Sequence, residues 1–234
     1  MATKLYFHDA ANALSGTFPT GEQSARTSSN AVTGSGTLRT MNRTIGAAQV
    51  NSTFTFSTAN NTTYNTFHRF FCSPPLASDQ TVGGGTVVLN VADYQGGSST
   101  NHWIDSINLY VWRPSTGAVV GTLKDAVNLG GTEPAPSTIQ VTHITGITTT
   151  AVSALAGDVI ICEIWANWFN ETNGNKTGRF YYDGTTENTT ENAVVPNHAS
   201  YIELAEDLVF EGEGGGKGFP FQPPMRGFIH MLVR

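Results

Sequence analysis

Apolar and polar positions alternate with a period of two through most of the chain, and turn-forming residues break the alternation at short intervals. An apolar stripe at helical spacing is hard to find anywhere. The alternation predicts strands at "KLYFHD" (4–9), "STFTFST" (52–58), "NTFHRFFCS" (65–73), "GTVVLNVADYQ" (85–95), "DSINLYVWRP" (105–114) and "AVVGTL" (118–123). It continues with "STIQVTHITG" (137–146), "DVIICEIWANWF" (158–169), "GRFYYDG" (178–184), "YIELAEDLVF" (201–210) and "GFIHMLVR" (227–234). Gly, Pro, Ser and Asn clusters such as "SPPLASD", "QGGSSTN" and "GGTEPAPS" separate them. Many strands joined by short turns predict an all-β domain, an antiparallel sandwich or barrel.

The clearest local unit is the hairpin "INLYVWRPSTGAVVGTL". Pro114 presets the turn near φ −65°, and Gly117 is free to take a positive φ. On the first arm Ile107, Leu109 and Val111 share one face, and Asn108, Tyr110 and Trp112 the other. The second face is amphipathic and aromatic, which suits a sheet surface covered by a loop or a neighbouring chain. "GDVIICEIWANWFN" (157–170) is apolar on both alternating faces, as a strand covered on both sides is. Ile160, Cys162, Ile164, Ala166 and Trp168 are expected to face the interior. Val159, Ile161, Glu163 and Trp165 are expected to lie beneath a loop or another chain.

Composition changes the picture at the ends. At 234 residues one domain is the default, with 1–234 as a single unit. Residues 10–50 are rich in Ser, Thr, Gly and Asn, and their apolar residues, among them Phe18, Leu38 and Met41, are isolated. That pattern fits an extended arm whose contacts are those residues, or a disordered tail. Residues 211–224 form a Gly/Pro-rich loop ahead of the apolar strand at 227–234. Such a strand is an aggregation hazard unless paired, either with "KLYFHD" or with another subunit.

Charged residues make up only 13% of the chain, against about 25% in an average soluble domain. The net charge is −6, and the few Lys and Arg are scattered, so neither nucleic acid nor an anionic membrane is an expected partner. No apolar run approaches the roughly 20 residues that span a bilayer, and the opening "MATKLYFHDAANALSG" has no secretory apolar region. The expectation is a soluble protein made in the cytoplasm. The seven N-x-S/T sites then follow from abundant Asn and Thr rather than from glycosylation. Cys72 and Cys162 match no metal or redox spacing, and their apolar settings predict reduced core thiols over a disulfide.

Candidate chemistry is sparse. G-x-S-x-G, H-E-x-x-H and C-x-x-C are missing, and the six His are dispersed, so no cofactor or metal is expected. "EGGGKG" (213–218) lacks the first Gly and the Ser/Thr of a phosphate loop. Glu163 beside aromatic residues has the look of a glycosidase general acid, with Asp183, Glu203 or another residue that spacing does not identify as its partner carboxylate. A Glu paired with Arg113 or Arg179 reads the same way. Trp103, Trp112, Trp165 and Trp168, with Tyr110, Tyr181 and Tyr182, are candidate stacking platforms for a glycan. Core or interface packing is the stronger expectation for each Trp, since a large sandwich needs its aromatics inside.

Several strings together resemble a group of tailed-bacteriophage virion structural proteins: "KLYFHDAANALSGTFPTGEQSA", "YVWRPSTGAVVGTL", "AGDVIICEIWANW", "FYYDGTT" and "VVPNHASYIELAEDLVF". In order they cover much of residues 4–210. The resemblance implies a jelly-roll-like β-sandwich without catalytic chemistry, assembled in the host cytoplasm into the virion. It implies partners among the major capsid protein or other virion proteins, and a symmetric homo-oligomer. The expected role is capsid decoration or cementing. The alternative is a tail, baseplate or receptor-binding component whose aromatic face, with Tyr110, Trp112 and Trp165, binds glycan.

Overall fold

The structure is a computed structural model, and it describes residues 1–19, 38–56, 65–96, 100–126, 129–131, 133–170 and 176–212. Among the described residues every regular element is a strand. They are β1 (Thr3–Ala11), β2 (Arg39–Asn42), β3 (Val50–Phe56), β4 (Asn65–Cys72), β5 (Gln80–Val82), β6 (Thr86–Gln95) and β7 (Thr100–Arg113). The remainder are β8 (Ala118–Ala126), β9 (Ile139–Thr148), β10 (Val152–Ala154), β11 (Val159–Asn170), β12 (Lys176–Tyr182) and β13 (Tyr201–Leu204). No helix among them is long and apolar enough to cross a membrane.

Eleven strands form one sheet in the order β3-β12-β6-β13-β1-β2-β4-β11-β7-β8, with β9 on the second edge of β6 and β5-β10 as a separate pair. The sheet folds over on itself as a β-sandwich. Inward side chains of β1, β6 and β13 (Leu5, Phe7, Leu89, Val91, Ile202) meet those of β7 and β11 (Ile107, Leu109, Ile160, Cys162, Ile164) in one apolar core. Phe7, Phe71 and Phe180 pack together at its centre, with ring centroids 4.3–6.4 Å apart. Alternation sets which residues enter: β7 sends Ile107, Leu109 and Val111 inward, and Gly117 closes the hairpin at φ 63° with its N–H bonded to Arg113 O at 2.9 Å.

The described strands depart from the expected ones in several places. The sheet is not wholly antiparallel, because β2 runs parallel to β4. Between them β3 leaves to pair with β12, so the chain re-enters in its original direction. Of residues 10–50, several described ones are part of the sheet. Ala10 and Ala11 extend β1, residues 39–42 form β2, and Met41 is fully buried in the main core. "KLYFHD" is closed to any further strand at its paired positions, since β1 has β13 on one edge and β2 on the other. The strand expected at 201–210 stops at Leu204, after which Leu208 N–H binds Thr3 Oγ1 (2.8 Å) and Phe210 bridges to Leu76. The strand expected at 227–234 lies outside the described residues. The strand path establishes a sandwich and not a particular jelly-roll connectivity.

Candidate functional site

Strand β11 is central, with β4 on one side and β7 on the other, and its ladder fixes a grid of side chains on the outer face. Val159 lies opposite Trp112, Ile161 opposite Tyr110 and Cys72, and Glu163 opposite Asn108 and Phe70. Trp165 lies opposite Ser106 and His68. The face expected to lie under a loop or another chain is covered by the protein itself. Leu38, Phe70, Cys72, Tyr110, Trp112, Val159 and Ile161 form a second apolar cluster, and Leu14 and Phe18 pack onto it. Phe18 sits 5.1 Å from the Trp112 ring and 6.1 Å from Phe70. Gly16 crosses so close to Trp112 that a Cβ there would stand 3.2 Å from the indole. Phe18 and Leu38 are therefore contacts within the chain.

At the lower end of this face Glu163 is fully buried. Its Oε1 lies 2.6 Å from His68 Nδ1, and Asn108 Nδ2 donates to its Oε2 at 3.4 Å. Asn108 Nδ2 also reaches the Pro19 carbonyl (3.3 Å), which ties the covering segment to the pair. His68 stacks on Trp165 at 4.4 Å and 23°. Both Arg partners expected for Glu163 are engaged elsewhere. Arg113 makes a two-pronged pair with Asp158 (2.8 Å each), and Arg179 lies over Tyr94 and donates to Tyr181 Oη. The partner carboxylates expected for hydrolysis are also elsewhere: Asp183 binds His8 at 2.7 Å, and Glu203 faces Lys4. No second carboxylate comes to Glu163 from either.

The three aromatic candidates share this face, and all are buried: Tyr110 1%, Trp112 3% and Trp165 3% exposed. A ring covered this completely offers no open side for a sugar to stack on. Tyr181 and Tyr182 are buried as well, and the side chains of Trp103 and Trp168 lie outside what the structure describes. Tyr110 Oη, Trp112 Nε1 and Trp165 Nε1 have no hydrogen-bond partner among the described residues. Burial pushes the Tyr110 phenol up, with the Glu163 carboxylate adding to the effect.

Both cysteines are free and buried. They sit on adjacent strands but on opposite faces, Cys72 in the outer cluster and Cys162 in the main core. Burial alone pushes the Cys72 thiol up to about 12. Among the described residues no group of three His, Cys, Asp or Glu side chains is placed to hold a metal ion.

Sequence reasoning missed the other ionic positions. His8 and Asp183 join β1 to the turn after β12, where Asp183 also accepts from Asp9 N–H and adopts φ 59°. Lys4 and Tyr6 both donate to Glu187. His198 is fully buried, with Nε2 donating to Asn90 Oδ1 (2.8 Å). Burial lowers its pKa to about 4. The partners are far apart in the chain, so no local pattern announces them.

No protein-family model matches the chain, and no curated protein matches it. Solved structures with partial likeness include an aminopeptidase from the marine sediment archaeon Thaumarchaeota archaeon. It is 13% identical over 70% of this chain and 34% of that one, with a TM-score of 0.43. A CocE/NonD family hydrolase from Staphylococcus aureus is 10% identical over 87% of this chain and 34% of that one, with a TM-score of 0.28. The infectious bursal disease virus Gt strain structure is 12% identical over 68% of this chain and 41% of that one, with a TM-score of 0.23. This chain spans about a third to two fifths of their lengths. Likeness this slight brings neither hydrolysis nor capsid assembly to this protein.

Proposed function

We propose that the chain is a non-enzymatic structural protein of a tailed-phage virion that decorates or cements the capsid exterior. The observation that carries this reading is the closed outer face. The stretch most like an active site is packed under Leu14 and Phe18, and its mid-strand carboxylate, Glu163, is fully buried against His68. A general acid must reach the bond it protonates, and the full burial of Glu163 supports a structural role over that one. The virion-like strings in the sequence add to this. Attachment then falls to the sheet's outermost strands. β8 pairs only with β7, and β3 only with β12, among the described strands. β8 also carries an exposed Val119. Edge strands with unpaired backbone groups are built to accept a further strand, so the protein joins capsomers by burying β-edge and apolar surface at their junctions, as a symmetric oligomer.

Capsids lacking the protein should rupture at a lower temperature and under milder osmotic shock than complete ones. Unchanged capsid stability overturns the proposal. Copy number per particle separates the placements: hundreds put the protein on the capsid, and a handful to a few dozen put it on the tail or baseplate.

A further inference from the structure

A groove of about 650 Å³ opens beside the outer face, between the start of the covering segment, β2 and the end of β4. Its walls are largely apolar, with Leu14, Pro74, Pro75, Pro114 and Val159, and Glu211 stands at its rim. A concave site of this volume is large enough to take several side chains. No described residue fills it. Glu211 N–H is bonded to Pro75 O at 2.8 Å, so the backbone is fastened to the groove wall at the point where it leaves the described structure. The sequence beyond Glu211 is a Gly-rich stretch and then "GFIHMLV" (227–233), with six consecutive apolar or His side chains from Phe228 to Val233.

We propose that this groove is the binding site for the protein's own segment 227–233. Residues 213–226 intervene, and at roughly 3.3–3.6 Å per extended residue they reach up to about 50 Å, ample for a return to the groove beside which they start. A tether that short holds the segment at millimolar effective concentration, which favours the same chain over a second copy. Docking would also bury the apolar sequence 227–233, and β1 offers little edge for that purpose, because Thr3–Tyr6 pair with β13 and Tyr6, Phe7, His8 and Ala11 with β2. The inference does not depend on the virion reading, because it concerns the isolated chain.

A photoreactive benzoylphenylalanine placed at Thr40, which lines the groove, tests it in the full-length protein. A second probe at Pro114, on the opposite rim, covers the case in which the first disturbs folding. Irradiating an equal mixture of isotopically heavy and light protein should give cross-links to residues 227–233 within chains of one label. The double variant Phe228→Asp/Leu232→Asp should lower their yield about tenfold, because docking then buries unpaired charge. Heavy-to-light cross-links show that a second copy fills the groove and overturn the proposal. So does cross-linking that avoids 227–233 at both probe positions.

Discussion

Glu163 Oε1 and His68 Nδ1 stand 2.6 Å apart on neighbouring strands, with the carboxylate fully buried and the imidazole almost so. Removing one member of a buried pair leaves the other without compensation, at a cost of about 3–5 kcal/mol, whereas replacing both by apolar groups is often near neutral. Glu163→Leu alone should therefore lower the urea midpoint sharply. Glu163→Leu combined with His68→Phe should recover most of the loss. Equal midpoints for the single and double variants would show that the pair is not coupled.

His198 links stability to pH. Its folded pKa is about 4, against an ordinary 6.5, because burial disfavours the charged ring. The unfolded chain therefore takes up a proton first, and the stability contribution is fully present above pH 6.5. It is lost as the pH falls from 6.5 towards 4, by about 3 kcal/mol at roughly 1.36 kcal/mol per pH unit. His198→Gln keeps a donor for Asn90 and cannot titrate. Unfolding free energies measured at intervals from pH 7 to 4 should fall less steeply in this variant than in the wild type.

Two glycines with positive φ should respond differently to alanine. At Gly117 (φ 63°) nothing lies within 4 Å of an added Cβ, so Gly117→Ala costs only the left-handed backbone, about 1–2 kcal/mol. At Gly184 (φ 96°) the Cβ would meet His198 O at 2.2 Å, and backbone cannot swing aside. Gly184→Ala should lower the melting temperature several times more than Gly117→Ala, as read by calorimetry.

Leu14 and Phe18 cover the outer cluster from a segment without ladder pairing. Both are half-buried, so Leu14→Ser/Phe18→Ser should cost about 2 kcal/mol together, given roughly 1.5–3 kcal/mol for a fully buried large side chain. The main core does not depend on them. The variant should stay folded by circular dichroism while binding an apolar fluorescent dye that the wild type ignores.

Cys72 and Cys162 should resist thiol reagents at pH 8 in the native protein, since burial raises both thiols. Both should react once the chain is unfolded in guanidinium. Native labelling of either would place it outside the clusters described.

The two-faced character of β11 and the β7–β8 hairpin were legible because alternation reports directly on burial. Asn108, Tyr110 and Trp112 could be assigned to one face from spacing alone. β2, β5 and β10 were not legible. Each spans four residues or fewer and sends only one or two apolar side chains inward, among them Met41, Val82 and Val152, which is too little to form a pattern. The partner of Glu163 was hidden for a different reason. His68 is 95 positions away, and only the register of β4 against β11 brings the two together. A mid-strand His with Phe67 before it and Phe70 two places on was the available hint.

Two strands from far apart along the chain lie side by side: β1 holds Thr3–Tyr6 against Leu204–Tyr201. During synthesis, β1 must wait for about 200 further residues to emerge before this neighbour exists. Until then its apolar face and the backbone edge at Thr3–Tyr6 stand open, so chains cut short before β13 should collect as aggregates rather than as partly folded domains.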